Sequence, residues 1–315
     1  MKNKFNKQDK HKNYSKPVLK RDGTEREGTI VAHFGAVVEL EDKAGHLFRC
    51  HLRKNQDPII TGDYVLWRLE KDNTGIVLGH LPRKSLLIRE EDRHRNKLIA
   101  ANVDNIIIVL APGPSFSEHL LDCYLVAAEV RKIQPIILLN KMDLLDESNL
   151  AEMKRRFTLY VEMGYKVIYS SIFMQDGLIE LNHVLKDTVS VLVGPSGVGK
   201  SSIIAKLTGF NDIKIGEVSS NNQGKHTTTM TRLYYLSQGG ALIDSPGVRE
   251  FALWNMPPED IFKGFIDFQA FRGLCKFRNC QHETEPGCAL QRAISENKIS
   301  SQRWKSYLEM IAGKR

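Results

Sequence analysis

The chain has 315 residues, 42% hydrophobic and 26% charged, with a formal net charge of +8, long enough for two or three domains and ordinary for a globular protein. The longest apolar run, IIIVLA at 106–111, is far short of the roughly 20 residues a membrane span requires, and no apolar core follows the first basic residues, so the N-terminus does not read as a secretory signal. We therefore expect a cytoplasmic protein with no membrane partner, and we take it to be a monomer.

Residues 1–21 hold eight Lys/Arg against one Asp, which leaves 37 basic and 36 acidic residues in the remainder. The excess charge is thus local. Such a polar arm does not fold alone; as a basic flexible arm it suits either polyanionic phosphate or simple solubility. Residues 22–88 follow as short alternating segments, GTIVAHFGAVVEL, HLFRCHLR, DYVLWRLE and GIVLGHL, broken by Gly, Asp and Asn. This pattern predicts a small antiparallel β-barrel of OB type, an architecture that often binds nucleic acid. Arg49, His51, Arg53 and Lys54, with Trp67 nearby, offer such a face, although the segment as a whole is not net basic and a plain solvated strand face fits it too.

From 89 to 250 buried strands alternate with amphipathic helices: NIIIVLA, PIILLN, KVIYSS, VSVLVG and GALIDS are strands. Ser117 is placed to cap a helix that puts Leu121, Tyr124, Leu125 and Ala128 on one face, and a second helix runs from Ser148 towards Met163. The expectation is a parallel α/β sheet covered on both sides. From 251 to 315 the strand signals stop, and a cysteine-rich turn region leads into helical sequence, a small third domain.

The motifs lie at the ends of these strands. NKMD, Asn140 to Asp143, ends PIILLN; the Asp143 carboxylate can accept from the N1 and N2 donors of guanine, which adenine does not offer. Asn140 and Lys141 brace that loop, with Met142 between, and Ser170 and Ser171 at the end of the next strand complete a base pocket. GPSGVGKSS follows VSVLVG and opens a helix: Gly194, Pro195, Ser196, Gly197, Val198, Gly199, Lys200, Ser201 and Ser202. Here glycines let backbone N–H groups close on phosphate, Lys200 reaches the outer phosphates, and the Ser201 hydroxyl binds Mg²⁺. Further on, DSPG places Asp244 for Mg²⁺ and offers the Gly247 N–H to a terminal phosphate. Between them SSNNQGKHTTTMT is a polar loop in which Thr228, flanked by Thr227 and Thr229, is the first choice to meet Mg²⁺ and phosphate. Val248 stands where many GTPases carry a water-orienting glutamine, so His226, able to accept from water when neutral, joins Lys200 and Thr228 in the expected catalytic set. Finally Cys275, Cys280, His282 and Cys288 form C-x4-C-x-H-x5-C, a closed donor set for one structural zinc ion.

The usual GTPase order puts the phosphate loop first and the guanine reader later; here the reader comes first. A circular permutation of a P-loop GTPase domain explains this, because the ends of compact domains commonly lie close together. The permuted order, GPSGVGKSS, GKHTTT, DSPGVREF and the Cys/Cys/His/Cys set together resemble the ribosome small-subunit-dependent GTPase A (RsgA) family over nearly the whole chain, with SSI in place of the commoner Ser-Ala at the base pocket as a mild departure. The resemblance implies an OB-type barrel, a circularly permuted GTPase domain and a small α-helical zinc-binding domain. It also implies a Mg-dependent GTPase that takes GTP to GDP late in maturation of the small (30S) ribosomal subunit, binds its rRNA and is stimulated by it. His226 and the four zinc ligands carry over from the family motif; the basic arm does not. A nucleotide-gated RNA-binding switch and an ATP-dependent kinase are the competing readings.

Overall fold

A computed structural model of the chain describes residues 23–54, 56–70, 73–91, 95–113, 116–209, 231–245, 256–282 and 285–313. Five strands come first: β1 (Arg26–Phe34), β2 (Val37–Asp42), β3 (Leu47–Leu52), β4 (Tyr64–Leu69) and β5 (Thr74–His80). They bond in the order β1-β2-β3-β5-β4, and β4 returns to β1; β3 and β5 are parallel and the other pairs antiparallel. This is a closed OB-type barrel, and closure leaves it no unpaired edge. Strand alternation drives it. In β3, Phe48 and Cys50 point inward while Leu47, Arg49 and His51 are exposed. Trp67 falls on the inward face of β4, is fully buried and lies 4.6 Å from Phe48 between ring centroids. The tryptophan therefore belongs to the core and cannot stack on nucleic acid, which corrects the expected role for it.

A hairpin of β6 (Leu86–Glu91) and β7 (Arg95–Ala101) leaves the barrel as a separate two-stranded sheet. Then come β8 (Asn105–Leu110), α1 (Glu118–Val130), β9 (Gln134–Leu139), α2 (Glu147–Glu162), β10 (Lys166–Tyr169), α3 (Ile179–Leu185), β11 (Val189–Val193), α4 (Lys200–Thr208), β12 (Arg232–Tyr235) and β13 (Ala241–Asp244). Their sheet order is β10-β9-β8-β11-β13-β12, parallel except for β12. Every residue of β8 is buried, as helices on both faces require. At its far edge β12 pairs with β1 through Ala32 and Arg232, so one sheet of 11 strands runs through barrel and α/β unit.

The last residues form α5 (Pro258–Gly264), a 3-10 turn at Ile266–Phe271, α6 (Ala289–Ser295) and α7 (Ser301–Ala312). Ser117 caps α1 as its sequence predicts, accepting from the Leu120 N–H at 3.3 Å. The helix is not merely striped, however: Leu121 to Ala128 are all buried, Asp122 included, because α5 and α7 pack over the side that solvent would otherwise meet. At this seam the buried Arg303 of α7 donates to Asp122 at 2.6 Å and to Asp267 at 2.7 Å, and the Tyr160 hydroxyl donates to Asp122 at 3.0 Å. Among the described residues no helix is long and apolar enough to cross a membrane.

Candidate functional site

Parallel pairing of β10, β9, β8, β11 and β13 brings their carboxyl ends to one edge of the sheet, where ligands of open α/β sheets bind. The phosphate-loop sequence leaves β11, NKMD leaves β9, Ser170 and Ser171 leave β10, and Asp244 closes β13. Four motifs distant in sequence thus share one rim.

The phosphate loop is shaped by its neighbours. Gly194 has φ 136°, and a Cβ there would sit 2.1 Å from the carbonyl oxygen of Val109 on β8; Gly199, the cap of α4, has φ 100°, and its Cβ would sit 2.4 Å from Asn140 Nδ2. Only glycine meets both the left-handed backbone and the close approach. Val198 is buried and anchors the loop, whereas Ser196 and Gly197 are exposed and Pro195, Lys200, Ser201 and Ser202 are half-buried. Lys200 Nζ donates to the carbonyls of Gly194 (2.8 Å) and Pro195. The positive end of the α4 dipole together with this ammonium makes the loop mouth electropositive.

The NKMD loop is bonded directly to it. Asn140, buried, donates from Nδ2 to Val198 O at 2.8 Å, and Lys141 Nζ donates to Gly197 O at 2.7 Å. Ser170 Oγ donates to Asn140 Oδ1 at 3.3 Å, and the Met142 N–H donates to Ser170 O at 3.1 Å. The exposed Asp143 carboxylate accepts from the buried Ser171 hydroxyl, which in turn accepts from the Phe173 N–H at 3.1 Å. A carboxylate held by its neighbours, one loop away from an electropositive phosphate cradle, can read a base bearing adjacent donors. Asp244, half-buried, lies opposite Arg232 at the end of the β12–β13 ladder. Ser201 and Asp244 are hard oxygen donors of the kind Mg²⁺ takes. His226, Thr228 and Gly247 lie outside the described residues.

A second cluster stands in the C-terminal region. One ligand atom each from Cys275, Cys280, His282 and Cys288 lies within 4.8 Å of the others. The His282 Nδ1 atom is 3.5, 3.6 and 3.5 Å from the sulfurs of Cys275, Cys280 and Cys288. With Zn–N near 2.1 Å and Zn–S near 2.3 Å, a tetrahedral site has N···S edges of about 3.6 Å, so the donors fit the ion. Burial pushes the Cys280 thiol up to about 12 and holds the His282 imidazole below its usual value; a bound divalent cation would reverse the first effect and needs the second, a neutral nitrogen. The Ala289 N–H donates to Cys275 Sγ at 3.4 Å, and Phe262 stacks on His282 at 5.1 Å. A cleft of about 820 Å³ opens beside the cluster, with Phe262, Phe277, Lys263, Arg272 and Arg278 in its walls.

Sequence reasoning missed the carbonyls of Gly197 and Val198 as acceptors for the NKMD loop; backbone groups leave no residue-type signal. It also missed β12 and the β6–β7 hairpin.

Comparison with known proteins gives a consistent picture. The profile of the RsgA GTPase family matches residues 80–254. Two proteins named small ribosomal subunit biogenesis GTPase RsgA are similar over most of the chain: that of Ectopseudomonas mendocina is 44% identical over 295 residues, and that of Pseudomonas aeruginosa 45% over 291, each alignment spanning 92% of this chain and 86% of the relative. Among solved structures, YjeQ from Thermotoga maritima superposes with a TM-score of 0.75 at 28% identity, covering 92% of this chain and 98% of its own. YloQ, titled a circularly permuted GTPase, gives 0.73 at 27%, covering 94% and 97%.

Proposed function

Because this chain belongs to the RsgA GTPase family, and is a circularly permuted GTPase, we propose that it hydrolyses GTP to assist maturation of the small ribosomal subunit in the cytoplasm, engaging the subunit's rRNA. The carrying observation is the pair of bonds from Asn140 and Lys141 to the phosphate loop, which ties a guanine reader to a phosphate cradle despite the reversed order in sequence. The names of the relatives support the ribosomal assignment.

In this reading Asp143 accepts from guanine and Ser171 orients it; Gly194 to Ser202 wrap the phosphates, and Lys200 neutralises charge building on them. Mg²⁺, supplied with the nucleotide, would be held by Ser201, Asp244 and Thr228 and would offset phosphate charge. Gly247 would donate its N–H to the terminal phosphate. His226 orients the attacking water, since the side chain of Val248 carries no polar atom to do so. Zinc held by Cys275, Cys280, His282 and Cys288 would cross-link the C-terminal turns rather than take part in chemistry, because four protein donors close its shell. The aromatic and basic walls of the cleft beside that cluster suit a phosphate backbone with unstacked bases, as do the exposed Arg49 and His51 of the barrel.

GTP turnover measured with and without purified small subunits tests the proposal. Stimulation of about tenfold or more, as when a partner completes a GTPase site, is the expected result; equal rates would favour an RNA-binding switch that acts elsewhere.

A further inference from the structure

Phe173 is 80% exposed, more than any other large apolar side chain among the described residues, and it stands where the base pocket begins. Ser171, just past β10, holds two neighbours at once: its hydroxyl donates to the Asp143 carboxylate and accepts from the Phe173 N–H at 3.1 Å. The backbone of Phe173 is therefore one hydroxyl away from the carboxylate that reads guanine. Between Ser171 and Phe173, Ile172 is half-buried against the core that contains Ile168 and Leu181, and Phe173 is left facing out. The loop that presents the ring is folded back on itself, since the Gly177 N–H donates to Met174 O at 3.2 Å and a Cβ at Gly177 would sit 1.9 Å from Ser171 O. The ring thus projects from a loop whose backbone is fixed at both ends.

The sheet order decides what lies in front of that ring. β9, which carries NKMD, sits between β10 and β8, with β11 beyond. Lys141 reaches towards β11, where its Nζ donates to Gly197 O at 2.7 Å, whereas Phe173 leaves from the β10 side. Asp143 lies between them and is exposed. A planar base bonded to Asp143 along its N1 and N2 edge presents two faces: the Lys141 stem lines one, and Phe173 is the apolar group available for the other. Leu144, directly after Asp143, and Met174 are exposed as well and extend the apolar lip. Every base has a π-face whatever its exocyclic groups, and an aromatic ring is the side chain that stacks on it.

We propose that Phe173 stacks on the guanine of bound GTP and GDP, closing the face that Lys141 leaves open. The inference rests on the reading of this site as a guanine-nucleotide pocket, and adds to it a group that sets affinity without setting the choice of base. Asp143 selects and Phe173 grips. A stack is indifferent to the exocyclic amine of guanine, whereas Asp143 accepts from it. Inosine diphosphate, which lacks that amine, separates the two roles.

Phe173→Ala removes the ring from an exposed position, so without nucleotide its melting temperature should stay within about 2 °C of the parent's. Equilibrium titrations of the full chain with GDP and with inosine diphosphate, in Mg²⁺, give the affinities. We expect Phe173→Ala to weaken GDP about 5- to 50-fold, the scale of one base–aromatic stack, and to weaken inosine diphosphate by the same factor, so that the preference for GDP is unchanged. Phe173→Trp should hold GDP about as tightly as the parent, and the introduced indole should lose emission on saturation with GDP but not with inorganic pyrophosphate, once the parent's own tryptophan response is subtracted. The proposal is overturned if Phe173→Ala binds GDP as the parent does, the outcome expected of a patch that docks a protein instead. It is overturned equally if the preference for GDP over inosine diphosphate collapses in that variant, because the ring would then only steady Asp143, or if the indole is blind to GDP. A parent chain that binds no GDP would sink the guanine pocket itself, whereas a binding parent with an unaffected variant sinks only the stack.

Discussion

Gly199 and Asp143 show how much a single atom decides here. A methyl group at Gly199 would meet the amide of Asn140 at 2.4 Å, on a backbone at φ 100° that side chains adopt only at a cost of about 1–2 kcal/mol. Gly199→Ala should therefore push the NKMD loop off the phosphate loop and weaken GDP and GTP binding at least about tenfold, since even 1.4 kcal/mol is worth that factor; titration with a fluorescent guanine nucleotide reads it. Asp143→Asn exchanges an acceptor for a donor. Two hydrogen bonds to a charged group are worth about 3 kcal/mol or more, so affinity for GTP should fall on the order of 100-fold while xanthosine triphosphate gains. An unchanged guanine preference in competition binding would remove Asp143 from the pocket. These side chains were legible because their types and spacing are dictated by the ligand's chemistry. Their mutual bonds were not: nothing in the letters GV at 197–198 announces that their carbonyls will receive Lys141 and Asn140.

At the level of elements, legibility followed apolar pattern. The buried runs that became β8, β9 and β11 stood out because continuous apolar stretches bounded by polar turns have few other uses. β12 did not, since RLYY is only four residues long and owes its strand geometry to β13 and β1 on either side. The β6–β7 hairpin was hidden by its charges, and Trp67 was misjudged because strand phase, not residue type, decides which face it occupies. The cysteine set is different again, as spacing alone carried it. In the fold Cys288 is the cap residue of α6 and His282 takes a left-handed φ of 67°, so the donors also set where the helices begin. We expect purified protein to hold close to one zinc ion per chain by elemental analysis. Cys280→Ser should lose most of it, with the C-terminal residues becoming protease-sensitive, because metal affinity in small modules is largely folding energy. Full metal retention in that variant would discard the tetrahedral assignment.

Across the whole molecule, the rearranged connectivity leaves the α/β sheet in working order because each strand keeps its neighbours and only the loops are rerouted. What sequence could not show is how firmly the end of the chain is fastened to the middle. Arg303 reaches Asp122 from 181 positions away, and both side chains are fully buried. Asp122 and Asp267 favour the charged guanidinium and raise its pKa although burial opposes them. Removing one member of such a group strands the other charge in the interior, at about 3–5 kcal/mol. Arg303→Ala should accordingly lower the melting temperature by roughly 10 °C, given a few degrees per kcal/mol for a chain of this size; calorimetry measures it, and a shift under a degree or two would mean that water enters the seam.

The burial of α1 on every side bears on how the protein is born. A ribosome delivers residues 118–130 well before the closing helices, at several residues per second, and until α5 and then α7 emerge the outer flank of that helix lacks the elements that cover it. The nascent polypeptide must pass through an interval with greasy surface showing, so folding factors have a defined window in which to hold it, and a message truncated near codon 250 would yield a sticky product rather than a smaller enzyme.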